Sequence, residues 1–158
     1  MPDNKAIIEK FYTSFQQLDA GGMNSCYSED IVFSDPVFMI LKGDEVRAMW
    51  AMLCTTAKSF SLSFSDIELL DEEYVTCKWQ AVYVFSKTGH KVTNNVKAYM
   101  RIIDGKITEH SDAFRLSTWI GQALGWKGVL FGWTGLVKKK VQRTARESLL
   151  NYMEVNGE

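Results

Sequence analysis

One aspartate lies among large hydrophobic residues in the stretch FSDPVF, residues 33–38. An Asp followed by a Pro usually indicates a turn, in which the Asp35 carboxylate bonds nearby backbone amides and Pro36 fixes the bend. A carboxylate among hydrophobic residues also has a raised proton affinity, which suits a general base that takes up and returns protons. The residue types favour the turn but leave both interpretations open.

A second pair of chemically capable residues occurs in EHSDAF, residues 109–114. His110 and Asp112 are two positions apart on a predicted strand, so their side chains share one face of the sheet. A histidine beside a carboxylate is held in a chosen tautomer or charge state, which is useful for acid–base chemistry near neutral pH. A solvated face of an exposed strand would explain the same residues without any chemistry.

The hairpin before this strand decides which face the pair occupies. A two-residue turn at Asp104–Gly105 would place His110 opposite Tyr99 and direct the pair outward. A three-residue loop with a glycine bulge would place His110 opposite Ala98 and direct the pair inward. One residue of register reverses the conclusion, and the sequence permits both registers.

Composition limits the possible classes of protein. The chain has 158 residues, 46% of them apolar and 23% charged, which is typical of one globular domain with its own core. Its net charge of −1 argues against a general nucleic-acid binder. The three cysteines lack metal-like spacing and only two histidines are present, so we expect buried free thiols, no metal site and no cofactor. The N-terminus has no apolar signal core, which predicts a cytoplasmic protein.

The hydrophobic periodicity predicts helices and strands that position these residues. Helical spacing covers residues 4–18 with Asp3 or Asn4 as its cap and Gly21 and Gly22 at its end, and a helix capped by Asp44 follows the Asp-Pro break. Period-two stretches predict a meander of long strands, with a β-bulge near Ser65 or Asp66 where the hydrophobic parity changes. The remaining predicted elements are a short helix at 23–28, strands that start at 31, 75, 92 and 107, and a helix at 136–153.

The segment from residue 119 to 137 imitates a membrane span because it is long, apolar and followed by Lys138–Lys140. Its five glycines, Gln122 and Lys127 weaken that interpretation. A helical lid or a subunit interface is favoured over a span, and a contact with a membrane surface is a minor alternative. We therefore predict an α+β domain over 1–118, with 119–158 as a Trp- and Gly-rich segment and C-terminal helix packed on it.

The order of elements resembles the nuclear-transport-factor-2-like superfamily, in particular its SnoaL-like and ketosteroid-isomerase-like branches. The resemblance rests on three pieces in order, which are FYTSFQQLDAGG, CYSEDIVFSDPVF and DGKITEHSDAF. It implies a cone-shaped α+β fold, in which a curved antiparallel sheet packs on N-terminal helices and encloses a pocket. Proteins with this fold often dimerise through the sheet. This fold occurs in isomerases, cyclases, hydrolases, dehydratases and plain binding proteins. The resemblance therefore implies the fold better than the activity.

The isomerase branch also implies roles for individual residues. Asp35 matches the general base, and Tyr12 matches a tyrosine that donates a hydrogen bond to the developing enolate oxygen in the ketosteroid isomerase reaction. A core position on the first helix is the favoured explanation of Tyr12. The position of the protonated aspartate is occupied by Ala98, which cannot donate a hydrogen bond, so steroid isomerisation is not expected. SnoaL-like cyclases suggest His110 and Asp112 as a replacement acid–base pair.

The sequence therefore predicts a protein that binds a small hydrophobic molecule, polycyclic or lipid-like. If it is an enzyme, it uses cofactor-free isomerisation, cyclisation or hydration, and the alternative is a non-catalytic carrier or interaction module. A homodimer is expected and a nucleic-acid partner is not. The predicted pocket walls, each also consistent with ordinary core, are Trp50, Trp79, Tyr83, Ala98 and Phe114.

Overall fold

The computed structural model describes residues 3–157. Within them lie six helices and six strands in a mixed order. The helices are α1 (Asn4–Gln16), α2 (Ala20–Asn24), α3 (Asp44–Thr56), α4 (Leu116–Leu124), α5 (Trp126–Phe131) and α6 (Gly135–Val155). The strands are β1 (Tyr27–Asp35), β2 (Met39–Lys42), β3 (Lys58–Leu69), β4 (Tyr74–Val84), β5 (Lys91–Ile103) and β6 (Lys106–Ala113).

The six strands form one curved, open sheet in the order β2-β1-β6-β5-β4-β3. Strand β1 runs parallel to β6, and every other neighbouring pair is antiparallel. The helices α1 and α3 pack on the inner face, where α1 buries Ile8, Phe11 and Phe15. The predicted α+β class, with a curved sheet against N-terminal helices and a C-terminal helix, is confirmed.

The bend of the sheet has a local cause in β3. The pairing of β3 with β4 shifts by one residue between Ser65 and Glu68, and Asp66 has a φ of 54°. An extra residue in one strand bends it and increases its twist. The bulge that the parity change predicted is therefore present near Ser65 and Asp66.

Several helix boundaries differ from the sequence-based expectation. The helix predicted at 23–28 is α2 at Ala20–Asn24, and Tyr27 and Ser28 already belong to β1. Helix α1 is capped by Asp3 as expected, but it ends at Gln16, and Gly21 and Gly22 lie inside α2 rather than terminating α1. Asp19 caps α2 by accepting a hydrogen bond from Gly22, whose Cα packs so close to Ser14 that a Cβ would collide. Asp44 was the expected cap of α3, but the cap is Gly43, whose φ of 55° favours glycine.

Neither register considered for the β5–β6 hairpin is the one in the structure. Asp104 and Gly105 both have positive φ and form a two-residue turn that pairs Ile103 with Lys106. The register then shifts at Thr108, so that Met100 lies opposite His110 and Ala98 opposite Asp112. This bulge turns both members of the pair to the inner face, where they are buried.

The C-terminal part of the chain covers one end of the sheet and α3. Helix α4 is held to β5 by Gln122, whose side chain bonds the backbone of Thr93. Helix α6 is joined to α3 through Arg146, which bonds Glu45 at 2.6 Å. These contacts support the proposal that residues 119–158 pack on the same domain as residues 1–118. No helix among residues 3–157 is both long and apolar enough to cross a membrane.

Candidate functional site

A cavity of about 210 Å³ lies between the inner face of the sheet and the helices α3 and α4. Its wall is largely aromatic and aliphatic, and two carboxyl groups, those of Asp35 and Asp112, are part of it. Four of the five predicted wall residues line it, namely Trp50, Trp79, Tyr83 and Phe114. Ala98 does not, because it is fully buried in β5 beneath Asp112.

Asp35 ends β1 and lines the cavity while it also forms the turn that the Asp-Pro pair predicts. Its Oδ1 accepts hydrogen bonds from the backbone amides of Val37 at 2.9 Å and Phe38 at 2.6 Å. Burial raises the pKa of Asp35 to about 7, the two amides oppose this rise, and the Asp112 carboxylate adds to it. The turn and the pocket-facing carboxylate are therefore one arrangement.

Asp112 is fixed by two ring N–H groups. His110 Nε2 lies 2.8 Å from Asp112 Oδ1, and Trp79 Nε1 donates to the same oxygen at 3.4 Å. His110 is only 2% exposed and does not line the cavity. Of the predicted pair, Asp112 is therefore the member that lines the cavity, and His110 lies behind it.

The tautomer of His110 follows from a chain of donors that starts at Trp50. The indole Nε1 of Trp50 can only donate, and it donates to the Tyr27 hydroxyl at 2.9 Å. The Tyr27 hydroxyl lies 2.7 Å from His110 Nδ1, and on the other side of the ring Nε2 faces the Asp112 carboxylate, which can only accept. Tyr27 is then the donor to Nδ1 of the neutral ring. His110 therefore carries its hydrogen on Nε2 and donates it to Asp112.

Tyr83 has a hydroxyl group placed for donation into the cavity. Trp119 Nε1 donates to this hydroxyl at 2.7 Å, so the hydroxyl proton is not used in that bond. Burial raises the pKa of Tyr83, and the nearby Asp35 carboxylate raises it further, which keeps the phenol protonated. The sequence indicated Tyr83 only as a wall residue, because its donor role depends on Trp119, 36 positions away.

Tyr12, the donor that the family resemblance implied, lies behind the cavity wall. It is fully buried on α1, packs against Phe64 and Trp79, and does not line the cavity. Its hydroxyl has no hydrogen-bond partner among residues 3–157. Burial raises the pKa of Tyr12 well above its usual value, and the Asp112 carboxylate adds to that effect.

A larger groove of about 600 Å³, here called the outer groove, adjoins the cavity and lies between α3, α5 and α6. The two spaces share walls that include Phe38, Leu53 and Trp119. The outer groove is mostly apolar, but Lys87, Lys127 and Lys140 also line it. In the described part of the chain, no three His, Cys, Asp or Glu side chains are arranged to hold a metal ion.

Comparisons with known proteins agree with this architecture. The SnoaL-like domain family matches residues 8–110, so the chain belongs to the SnoaL-like domain family. No curated protein matches the chain. Among solved structures, TerC crystallised with polyporic acid has a TM-score of 0.67 at 17% identity, over 77% of this chain and 98% of TerC.

Two further structures have similar scores. A putative polyketide cyclase from Silicibacter sp. TM1040 gives a TM-score of 0.64 at 19% identity, over 75% of this chain and 93% of its own. A hypothetical protein from Catenulispora acidiphila with a ketosteroid-isomerase-like fold, in complex with trimethylamine, gives 0.65 at 13% identity, over 74% and 91%. At these identities the similarity establishes the fold alone, and the predicted resemblance to the SnoaL-like branch is confirmed by the family match.

Proposed function

We propose that this protein is a cofactor-independent acid–base enzyme that moves a proton on a small hydrophobic carbonyl compound. The observation that supports this most is the meeting of two carboxyl groups, Asp35 and Asp112, in one apolar cavity. Carboxylates seldom lie in an apolar wall without a chemical reason, because burial of their charge is costly. A base whose pKa lies near 7 is well matched to proton transfer at neutral pH.

In the proposed reaction, Asp35 takes a proton from a carbon next to the substrate carbonyl. The carbonyl oxygen gains negative charge in this step, and the unengaged hydroxyl proton of Tyr83 is the group placed to bond it. The protonated Asp35 then returns the proton to the same or another carbon, so no net charge or redox change occurs. Isomerisation needs only these steps, and cyclisation uses the same carbanion.

Asp112 has a supporting role in this proposal. Its charge raises the proton affinity of Asp35, and its orientation is fixed by His110 and, through Tyr27, by Trp50. His110 acts through Asp112 and is therefore a positioning residue. The role of Tyr12 as a donor stays a prediction, because its buried hydroxyl lies behind the cavity wall and lacks a partner among residues 3–157.

The proposal can be tested without knowledge of the natural substrate. We would follow hydrogen–deuterium exchange next to the carbonyl of β-tetralone, a bicyclic ketone, by NMR in D₂O. Wild type should accelerate exchange, Asp35→Asn should lower the rate at least about 100-fold, and Tyr83→Phe roughly 100-fold. Asp71→Asn is the control, because Asp71 forms a similar turn on the surface. Exchange that persists in Asp35→Asn would show that the assigned base is wrong.

A ligand carrier on the same fold is the second candidate. It is favoured by one observation, which is that Asp35 bonds only backbone amides among residues 3–157. A carrier would bind β-tetralone without accelerating exchange. The predicted homodimer is compatible with both functions. Size-exclusion chromatography with light scattering would test whether the protein is a dimer.

A further inference from the structure

The strongest surface feature outside the cavity is an apolar patch on α5 and the turn that follows it. We define the apolar patch by its six side chains, all more than half exposed: Trp126, Val129, Leu130, Phe131, Trp133 and Leu136. Solvent-exposed apolar side chains usually occur singly, and a group of this size indicates a surface that contacts another apolar phase. The patch includes two of the five tryptophans of the chain.

The charged residues next to the apolar patch along the chain are of one sign. All seven charged side chains between residues 113 and 146 are basic, in a chain whose net charge is −1. Lys127 lies within the patch, with Nζ 5.7 Å from the centre of the Trp126 ring, and Lys138–Lys140 follow Leu136 directly. The patch therefore lies in a positive field on an otherwise acidic protein, and its partner should carry negative charge.

We propose that the apolar patch docks this protein on the surface of a lipid bilayer that contains anionic lipids. Tryptophan prefers the interface between lipid and water, because its ring is apolar and its N–H is polar. A short helix with exposed apolar and basic residues lies in that interface with its apolar side chains inserted, and nearby lysines are attracted to anionic headgroups. A second copy of the chain fits less well, because a symmetric contact would bring the two basic segments together.

The apolar patch lies next to the outer groove, which suggests what docking would accomplish. Lys127, Phe131 and Lys140 line the outer groove and also belong to the patch or its basic surround. A protein docked through this surface would hold the outer groove at the membrane, and the outer groove shares walls with the cavity. Docking itself does not depend on the proposed acid–base reaction.

The test is co-sedimentation of the full chain with vesicles of phosphatidylcholine alone, or with about one third phosphatidylglycerol. We expect binding to the anionic vesicles, weak binding to the neutral ones, and loss of binding in about 0.5 M salt. Trp133→Ser should lower the partition coefficient about tenfold. The double variant Lys138→Gln, Lys139→Gln should lower it about fivefold for each lysine.

Two matched controls lie away from the patch. Leu70 is 60% exposed beyond the end of β3, and Lys97 is on β5, so Leu70→Ser and Lys97→Gln should bind like wild type. Thermal unfolding of every variant shows that it is folded. Equal binding by patch and control variants would overturn the proposal. The proposal would also be overturned if wild type did not bind vesicles and instead formed a dimer that Trp133→Ser dissociates. Asp35→Asn should dock normally, so a failure of catalysis and a failure of docking are distinguishable.

Discussion

Replacement of Asp35 by Asn should stabilise the protein at neutral and alkaline pH. Asn has the shape of Asp and keeps a carbonyl oxygen that can accept from the amides of Val37 and Phe38. It removes the charge that the apolar cavity disfavours. An ionised Asp in an ordinary turn would show the opposite sign, because its charge would strengthen the two hydrogen bonds.

The size of the effect follows from the shift of the Asp35 pKa. Burial raises this pKa from 3.8 to about 7, and each unit corresponds to about 1.4 kcal/mol. In the unfolded chain Asp35 ionises near its ordinary value, so between about pH 4 and pH 7 the folded state binds more protons. Stability from this group is therefore complete below about pH 4, falls as pH rises, and is lost above about pH 7. The total loss is about 4 kcal/mol.

The assay is urea denaturation of wild type and Asp35→Asn at several pH values, with the difference in unfolding free energy as the readout. Other titrating groups contribute nearly equally to both proteins, so their pH dependence largely cancels in this difference. We expect the stability of Asp35→Asn relative to wild type to increase by about 4 kcal/mol from about pH 4 to pH 8, with unchanged urea slopes.

Asp71 provides the matched control within the same chain. Its Oδ1 accepts from the amides of Glu73 and Tyr74, both at 2.8 Å, in the same i to i+2 and i+3 pattern as Asp35. Asp71 is exposed, and these two bonds lower its pKa. Asp71→Asn should therefore be slightly destabilising, and more so above its pKa than below it. If the difference in unfolding free energy between Asp35→Asn and wild type did not change with pH, or had the negative sign expected for Asp71→Asn, the raised pKa of Asp35 would be refuted.

Three further substitutions test the supports of the site, each by urea denaturation. Tyr27→Phe should lower the unfolding free energy by about 2–4 kcal/mol, because two buried partners lose their hydrogen bonds. The control Tyr99→Phe, on the outer face, should change it by less than about 0.5 kcal/mol. Equal effects of the two substitutions would contradict the donor chain. Tyr12→Phe should be neutral or stabilising by up to about 1 kcal/mol, since its hydroxyl lacks a partner among residues 3–157, and a clear loss would reveal a missed bond. Gly128→Ala should cost about 1–3 kcal/mol because its Cβ would meet the α4 backbone, whereas Gly135→Ala, which meets open space, should not destabilise; no loss in Gly128→Ala would mean that α5 can move.

The order of the main elements was predictable because hydrophobic periodicity reports local structure. The bulge near Asp66 was also predictable, since the hydrophobic parity changes there. The same reasoning applies to β6, where Ile107 and His110 are both buried although they are three positions apart. An odd spacing between two inward side chains requires an extra residue, and Thr108 is that residue. Glycine turn chemistry suggested only the hairpin loop as the place for it.

The contacts that give the site its chemistry were not predictable, because they join residues far apart in the chain. Tyr27 and His110 are separated by 83 positions, and nothing in the types of their neighbours indicates that they bond. Trp119 lies in the segment that was expected to form a lid or a subunit interface, and its bond to Tyr83 could not be predicted from the sequence either. Local patterns thus predicted which elements face the cavity, whereas donor direction needed the three-dimensional arrangement.

The sizes of the two spaces bear on the choice between a polycyclic and a lipid-like ligand. The inner cavity, at about 210 Å³, is smaller than the roughly 300–1,000 Å³ of ordinary ligand pockets, whereas the outer groove of about 600 Å³ is within that range. The carboxyl groups are in the inner space and the lysines are in the outer one. A compact polycycle that is too large for the inner cavity would be held in the outer groove. An elongated molecule, with its carbonyl end in the cavity and its apolar body in the groove, would use both spaces. Long apolar molecules of this kind reside in membranes, and the proposed docking would place the groove beside one.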